Sequence, residues 1–194
     1  KEVLISSGSI ERPIVFGNND TPGVMLSSAA KEYLKVYGVL VGKNPLIFTN
    51  NDSGYETAIE FKKNGVDVII LDTRKDPKSE IVDEAKNLGI DIKLSYVVVA
   101  AKGYKKVKSA DIAKISDNKE QLGSVENIKC DCICVSGFWT PTIHLASQSG
   151  NKTKFDEKID AFVPGISKQN ETTLGAANGS YTLDETLKSS FETA

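Results

Sequence analysis

Apolar positions fall along the chain in short clusters, and their spacing changes from one cluster to the next. Pro45-Leu46-Ile47-Phe48-Thr49 is a continuous apolar run of strand length. It is followed by Asn50-Asn51-Asp52-Ser53-Gly54, a turn rich in helix-capping residue types. Tyr55, Ala58, Ile59 and Phe61 then recur at helical spacing up to Asn64-Gly65. Val66 to Leu71 is again nearly all apolar and ends on Asp72. Strands buried on both faces of a parallel sheet read this way, so the segment predicts a strand–helix–strand unit with a crossover connection.

Weaker patterns flank this unit. Residues 3–16 read as a short strand, a turn at Gly8 and an extended segment past Pro13, and Asn18 to Gly23 is a turn cluster. Ser27–Tyr37 reads as a helix with Ala30, Tyr33, Leu34 and Tyr37 on its apolar face, closed by Gly38. A second amphipathic helix spans 79–89, with strands at 90–94 and 96–101. Segments 109–116 and 124–129 read as short strands or turns. Ile133-Cys134-Val135 is a buried strand running into Trp139 and Pro141, then a short helix through His144 and Leu145. Residues 149–175 are polar apart from Ala161-Phe162-Val163, and a last helix begins near Thr182.

Composition excludes more than it assigns. With 194 residues, 40% hydrophobic and 26% charged, the chain is an ordinary globular one, large enough for a core without disulfide or metal staples. Net charge is −2, and Arg12 and Arg74 are its arginines, so bidentate recognition of nucleic acid is not suggested. Lys105, Lys106 and Lys108 read as a solvated loop. No apolar run approaches the roughly 20 residues that span a bilayer. No secretory signal is visible, and Met25 is the one methionine, so the chain reads as an internal piece of a longer cytoplasmic polypeptide. Cys130, Cys132 and Cys134 are spaced for one face of a strand and for neither a redox pair nor a zinc site; they read as buried reduced thiols. No metal site is expected.

Candidate chemistry is sparse. The turn Thr49–Gly54 stands where a dinucleotide-binding domain carries its glycine-rich phosphate loop, and Asp72, some 20 residues on, could bond a ribose hydroxyl. The turn has one glycine, however, and Asp52 places a negative charge where pyrophosphate would sit. A structural relic of a nucleotide site is the favoured reading, with a live site as the alternative. His144 reads as structural rather than as a catalytic base, and Trp139 as a packing anchor. No paired carboxylates or other catalytic constellation is evident.

The motifs resemble a known family. Leu4 to Pro13 resembles the "ATGA-x-x-RP" segment of two-dinucleotide-domain flavoproteins, the pyridine nucleotide-disulfide oxidoreductase-like frame, and Phe16 with Pro22 to Met25 continues it. Phe48 to Ser53 and Val135 to Leu145 are more specific: together they resemble the alpha subunit of heterotetrameric sarcosine oxidase over nearly all of this chain. The resemblance implies an α/β fold in which a Rossmann-like central domain with a parallel sheet, residues 24–160, is flanked by partial segments 1–23 and 161–194 of a first dinucleotide-binding domain. It implies a role in the oxidative demethylation of sarcosine to glycine, with formaldehyde or 5,10-methylenetetrahydrofolate and hydrogen peroxide as the other products. NAD would be held by the alpha subunit, with FAD and FMN mainly elsewhere in the complex. The beta, gamma and delta subunits would be partners, as would tetrahydrofolate through a further domain. On this resemblance Gly8 lies beside the cofactor, and Ala176, Ala177, Asn178 and Gly179, with Tyr181 and Leu183, stand where related flavoproteins carry a Gly-Asp motif. Here Gly-Asp has become Ala-Asn, which suits NAD in place of FAD. No catalytic residue is implied, and the chain alone is expected to be inactive. The alternatives are a related amine or opine dehydrogenase subunit, or a structural interaction module without ligand.

Overall fold

The computed structural model describes residues 2–116 and 121–193. Lys1 and Ala194, the outermost residues of the two expected terminal segments, lie outside the described residues. The chain divides into two compact units, Arg12–Phe138 and the two ends, Lys1–Glu11 with Trp139–Ala194.

Two short strands open the chain, β1 (Val3–Ile5) and β2 (Ser9–Glu11). The central unit then runs β3 (Val24–Leu26), α1 (Ser27–Tyr37), β4 (Pro45–Thr49), α2 (Ser53–Lys63), β5 (Ile69–Asp72), α3 (Glu80–Asn87) and β6 (Asp91–Leu94). It continues through β7 (Tyr96–Lys102), β8 (Ser109–Lys114), β9 (Glu126–Lys129) and β10 (Cys132–Ser136). Five of these strands form one all-parallel sheet in the order β3-β10-β4-β5-β6. The chain steps from β4 to β5 to β6 and returns to β10 on the other side of β4, so strand order reverses at the β4/β10 seam. Pro45 is tolerated beside two partners because it is the first residue of its strand.

Alternate residues of the central strands feed opposite faces. Ile47 and Ile70 join Ala30, Leu34, Tyr55, Phe61 and Val82 beneath the helices. Leu46, Phe48, Leu71, Ile133 and Val135 pack against Val98, Ala110 and Ile112 of the antiparallel β7-β8-β9 meander. The near-continuous apolar runs are thus accounted for: one face is covered by helices and the other by strands.

Several sequence expectations are corrected. Tyr33 and Tyr37 do not face the core. They are 47% and 65% exposed and lean on each other at 5.9 Å, while Ala30 and Leu34 are the buried contacts of α1. The strand expected from Val66 begins at Ile69, and β3 was hidden between the Pro22-Gly23 turn and α1. The three cysteines do not share a face. Asp131 accepts hydrogen bonds from the amides of Lys43 and Asn44 just before β10 starts, leaving Cys130 with the meander core and Cys132 and Cys134 under the helices. All three cysteines are buried and in no disulfide, and burial pushes the Cys130 thiol up to about 12. The central unit also starts and stops earlier than 24–160: Ile14 and Phe16 pack on the meander core, while Trp139 onward pairs with the chain's beginning.

The terminal unit adds β11 (Trp139–Pro141), α4 (His144–Gln148), β12 (Thr153–Asp156), β13 (Ala161–Pro164), β14 (Glu171–Thr173) and α5 (Leu183–Thr193). β1 pairs in parallel with β14, β2 antiparallel with β11, and β12 with β13 as a hairpin. His144 is exposed at the first residue of α4. Among the described residues no helix is long and apolar enough to cross a membrane, and no cluster of three metal-ligating side chains occurs.

Candidate functional site

In open α/β sheets ligands lie at the carboxyl ends of the strands, where strand order reverses. In the central unit that place is the seam between Thr49 of β4 and Ser136 of β10, which are direct partners in register. The two most specific sequence motifs, Phe48–Ser53 and the one starting at Val135, therefore meet here.

The seam is filled by its own residues. The Asn51 carboxamide donates to the Ser136 carbonyl at 3.0 Å and approaches Ser136 Oγ at 3.2 Å. The Asn50 amide donates to the same carbonyl at 3.3 Å. The Asn51 amide is taken by Thr49 Oγ1, the Ser53 amide by Asn51 Oδ1 at 2.8 Å, and the Tyr55 amide by the Asp52 carbonyl. Gly54 matches the last glycine of a phosphate loop in role as well as in place. A Cβ there would stand 2.6 Å from the Thr49 Cβ, so only glycine lets α2 start this close to β4.

Asp72 is fully buried at the end of β5. It is not free to meet a ribose. The Tyr55 hydroxyl donates to it at 2.8 Å, the Arg74 amide at 2.9 Å, and the Arg74 guanidinium through Nε at 3.1 Å and Nη2 at 2.8 Å. Arg74 Nη1 turns to Asp52 at 2.7 Å. Arg74 thus joins the two carboxylates that a dinucleotide would have approached. Burial opposes the Arg74 charge, but hydrogen bonds to Asp72 and Asp52 outweigh it and hold the guanidinium pKa above its usual value. A cavity of about 380 Å³ opens beside it, bordered by Lys75, Asp76, Ser95 and Ser116. A second, of about 240 Å³, lies at the amino ends of β4 to β6, away from the seam.

The same network holds the proton of Tyr55. Burial raises the phenol pKa first, then the Asp72 charge and hydrogen bond, with Arg74 opposing. The folded state keeps a proton that the unfolded chain releases near pH ~10. This contribution is complete below that pH and is lost as pH rises above it. Replacing Tyr55 with Phe should therefore flatten the decline in urea-unfolding free energy between about pH 9 and 11. Parallel declines for both proteins would contradict it.

The terminal unit arranges the other expected site residues. β1 and β14 run parallel, and the Leu174 amide caps the pair by donating to the Ile5 carbonyl at 2.9 Å. The segments leaving their carboxyl ends carry Gly8 on one side and the 3-10 turn Gly175–Asn178 on the other. Gly8 has φ of +73°, with nothing within 4 Å of where a side chain would begin. Its carbonyl accepts from the Thr142 amide at 2.9 Å, and Ser7 Oγ donates to the Thr142 carbonyl at 2.7 Å. Ala177 is fully buried, Ala176 partly so, and Asn178 exposed. Gly179 has φ of +85°, and its amide donates to the Ala176 carbonyl. The Tyr181 hydroxyl donates to the Trp139 carbonyl at 2.9 Å, tying the turn to β11. Leu183 opens α5 and is 75% exposed. Leu183, Leu187 and Phe191 lie at i, i+4 and i+8 on α5, and Val3 and Leu4 are exposed on β1. A two-stranded parallel sheet with open apolar faces is unusual, because parallel sheets are ordinarily covered on both sides.

Sequence reasoning missed Arg74, Tyr55 and Ser136. The spacing Asp72-x-Arg74 at a strand end was the available signal.

No protein-family model matches the chain. The chain is 34% identical over 180 residues to "Sarcosine oxidase subunit alpha" of Corynebacterium sp. (strain P-1), covering 92% of this chain and 18% of that protein. It is 36% identical over 183 residues to the protein of the same name from Rhizobium meliloti (strain 1021), covering 91% and 17%. The chain thus spans less than a fifth of the length of these curated relatives. Among solved structures, the thioredoxin reductase of T. acidophilum superposes with a TM-score of 0.73 at 17% identity, covering 96% of this chain and 60% of that one. That likeness establishes the fold: a mixed α/β, Rossmann-like frame.

Proposed function

We propose that this chain, a homologue of sarcosine oxidase alpha subunits along 92% of its length, serves as part of such a subunit. In that role it contributes to NAD binding and to the scaffolding of partner subunits in an oxidase that demethylates sarcosine to glycine. Formaldehyde or methylenetetrahydrofolate and hydrogen peroxide would be the further products, with FAD and FMN carrying electrons outside this segment and the whole complex cytoplasmic. The sequence relationship is the observation that carries the reading.

The terminal unit supports the NAD assignment in a second way. Gly8 and the turn at Gly175–Asn178 leave the carboxyl ends of adjacent parallel strands, the edge at which nucleotides approach such sheets. The open space before Gly8 leaves room for a ligand backbone or phosphate. The uncovered apolar residues of β1 and α5 suit a half-domain completed by another part of the same subunit.

The test is NADH titration into the full-length alpha subunit. Asn178→Asp adds a charge at an exposed position without changing shape, and Gly8→Asn tolerates the positive φ while filling the open space. Each should weaken NADH binding by roughly tenfold. Unchanged affinity in both variants would refute the terminal site. Peroxide formed from sarcosine by the 194-residue chain alone would refute the auxiliary role.

A further inference from the structure

We infer that the central unit is a self-liganded dinucleotide fold: Asn51, Asp52 and Arg74 occupy, as an internal counter-ligand, the crevice that a dinucleotide would fill, and their removal reopens it. This stands apart from the proposed activity, since it concerns the Arg12–Phe138 unit and not the terminal residues.

The crevice has the frame such a ligand requires. Five parallel strands reverse order at the β4/β10 seam, and α2 begins against β4 at a glycine where any side chain would crowd Thr49. Much of what would bind the ligand is already engaged within the chain. Of the amides along the turn, those of Asn50, Asn51, Ser53 and Tyr55 each donate to an oxygen of the unit itself. Asn51 stands where the phosphate loop has its second glycine, and its side chain reaches across the seam to Ser136. Asp52 would repel a pyrophosphate, and Arg74, the cation that could attract one, is held between Asp52 and Asp72. A ligand must therefore displace both an amide bridge and an ion pair before it makes a contact of its own. The two closing elements differ in strength. Asp72 grips Arg74 in a bidentate arrangement from a fully buried position. The Asp52–Arg74 pair is partly exposed on both sides and correspondingly weak. Asp52 and Asn51 are therefore the residues whose loss frees the crevice while leaving Arg74 in place.

The experiment is amide NMR of the 194-residue chain and of Asn51→Gly/Asp52→Ser, with NADH and, separately, inorganic pyrophosphate as probes. In the unaltered chain the amides of 50–55 and Ser136 should not shift with either probe. In the double variant they should shift for both, with NADH binding tightened by at least about tenfold. Shifts of these amides in the unaltered chain would overturn the inference. So would a folded double variant whose crevice amides stay still.

Discussion

Replacing Arg74 with Met lowers the unfolding free energy by about 3 kcal/mol, because it leaves a fully buried carboxylate without its cation. Asp72 would retain the Tyr55 hydroxyl and the amide of residue 74, which satisfy its oxygens but not its charge. The expected loss sits at the low end of the usual range since Arg74 is 31% exposed and water can reach the vacated side. The sharper outcome is in the pair. Asp72→Asn combined with Arg74→Met removes both charges and should be more stable than Arg74→Met alone, since most of the single loss comes from the abandoned carboxylate. Urea unfolding of the two singles and the double measures this coupling. Strictly additive losses would mean that the two side chains do not act as one unit.

Gly54→Ala is expected to cost about 2 kcal/mol, from crowding rather than from lost interactions. Alanine is the better helix former, so propensity alone predicts a gain in a helix whose second residue is 54. Geometry reverses the sign. The new methyl carbon would stand 2.6 Å from Thr49 Cβ and 2.7 Å from Thr49 Oγ1, and that hydroxyl is also the acceptor for the Asn51 amide. Thr49 sits in the middle of the sheet, paired with both Ser136 and Asp72, so it cannot step aside. Either α2 moves off β4 or the turn loses its hydrogen bond. A melting temperature equal to or above that of the unaltered chain would refute the close-packing argument.

Much of the central unit was legible in the sequence because its strands are buried on both faces. Leu46-Ile47-Phe48 and Ile69-Ile70-Leu71 need no periodicity to be recognised, and Gly38 marks the end of α1 by adopting φ of +64°. Errors arose where a local pattern carried no tertiary information. Tyr33 and Tyr37 fit a helical stripe, but the neighbouring α2 covers only the side bearing Ala30 and Leu34. The cysteines fit an alternating strand, but Asp131 breaks the alternation by taking two backbone amides. In the crevice, the sequence singled out the turn Thr49–Gly54 and Asp72, which lie together at the carboxyl ends of β4 and β5, and Asp52 gave a reason to doubt a nucleotide there. It could not reveal that Arg74 lies between the two carboxylates, because that depends on β4 and β5 being adjacent and in register, Thr49 opposite Asp72.

The antiparallel clasp at the limits of the central unit, where the Arg12 amide meets the Phe138 carbonyl and the Gly137 amide meets the Arg12 carbonyl, both at 2.8 Å, bears on the order of events during synthesis. β1 emerges from the ribosome long before its partner β14. Closing a flexible loop of the intervening length costs entropy that grows with the logarithm of its span. Once the central unit has folded and its two ends are clasped, that span shrinks to the segments from Ile5 to Arg12 and from Phe138 to Glu171. The intervening module then acts as a splint, and the two halves of the terminal unit meet as though they were neighbours in sequence.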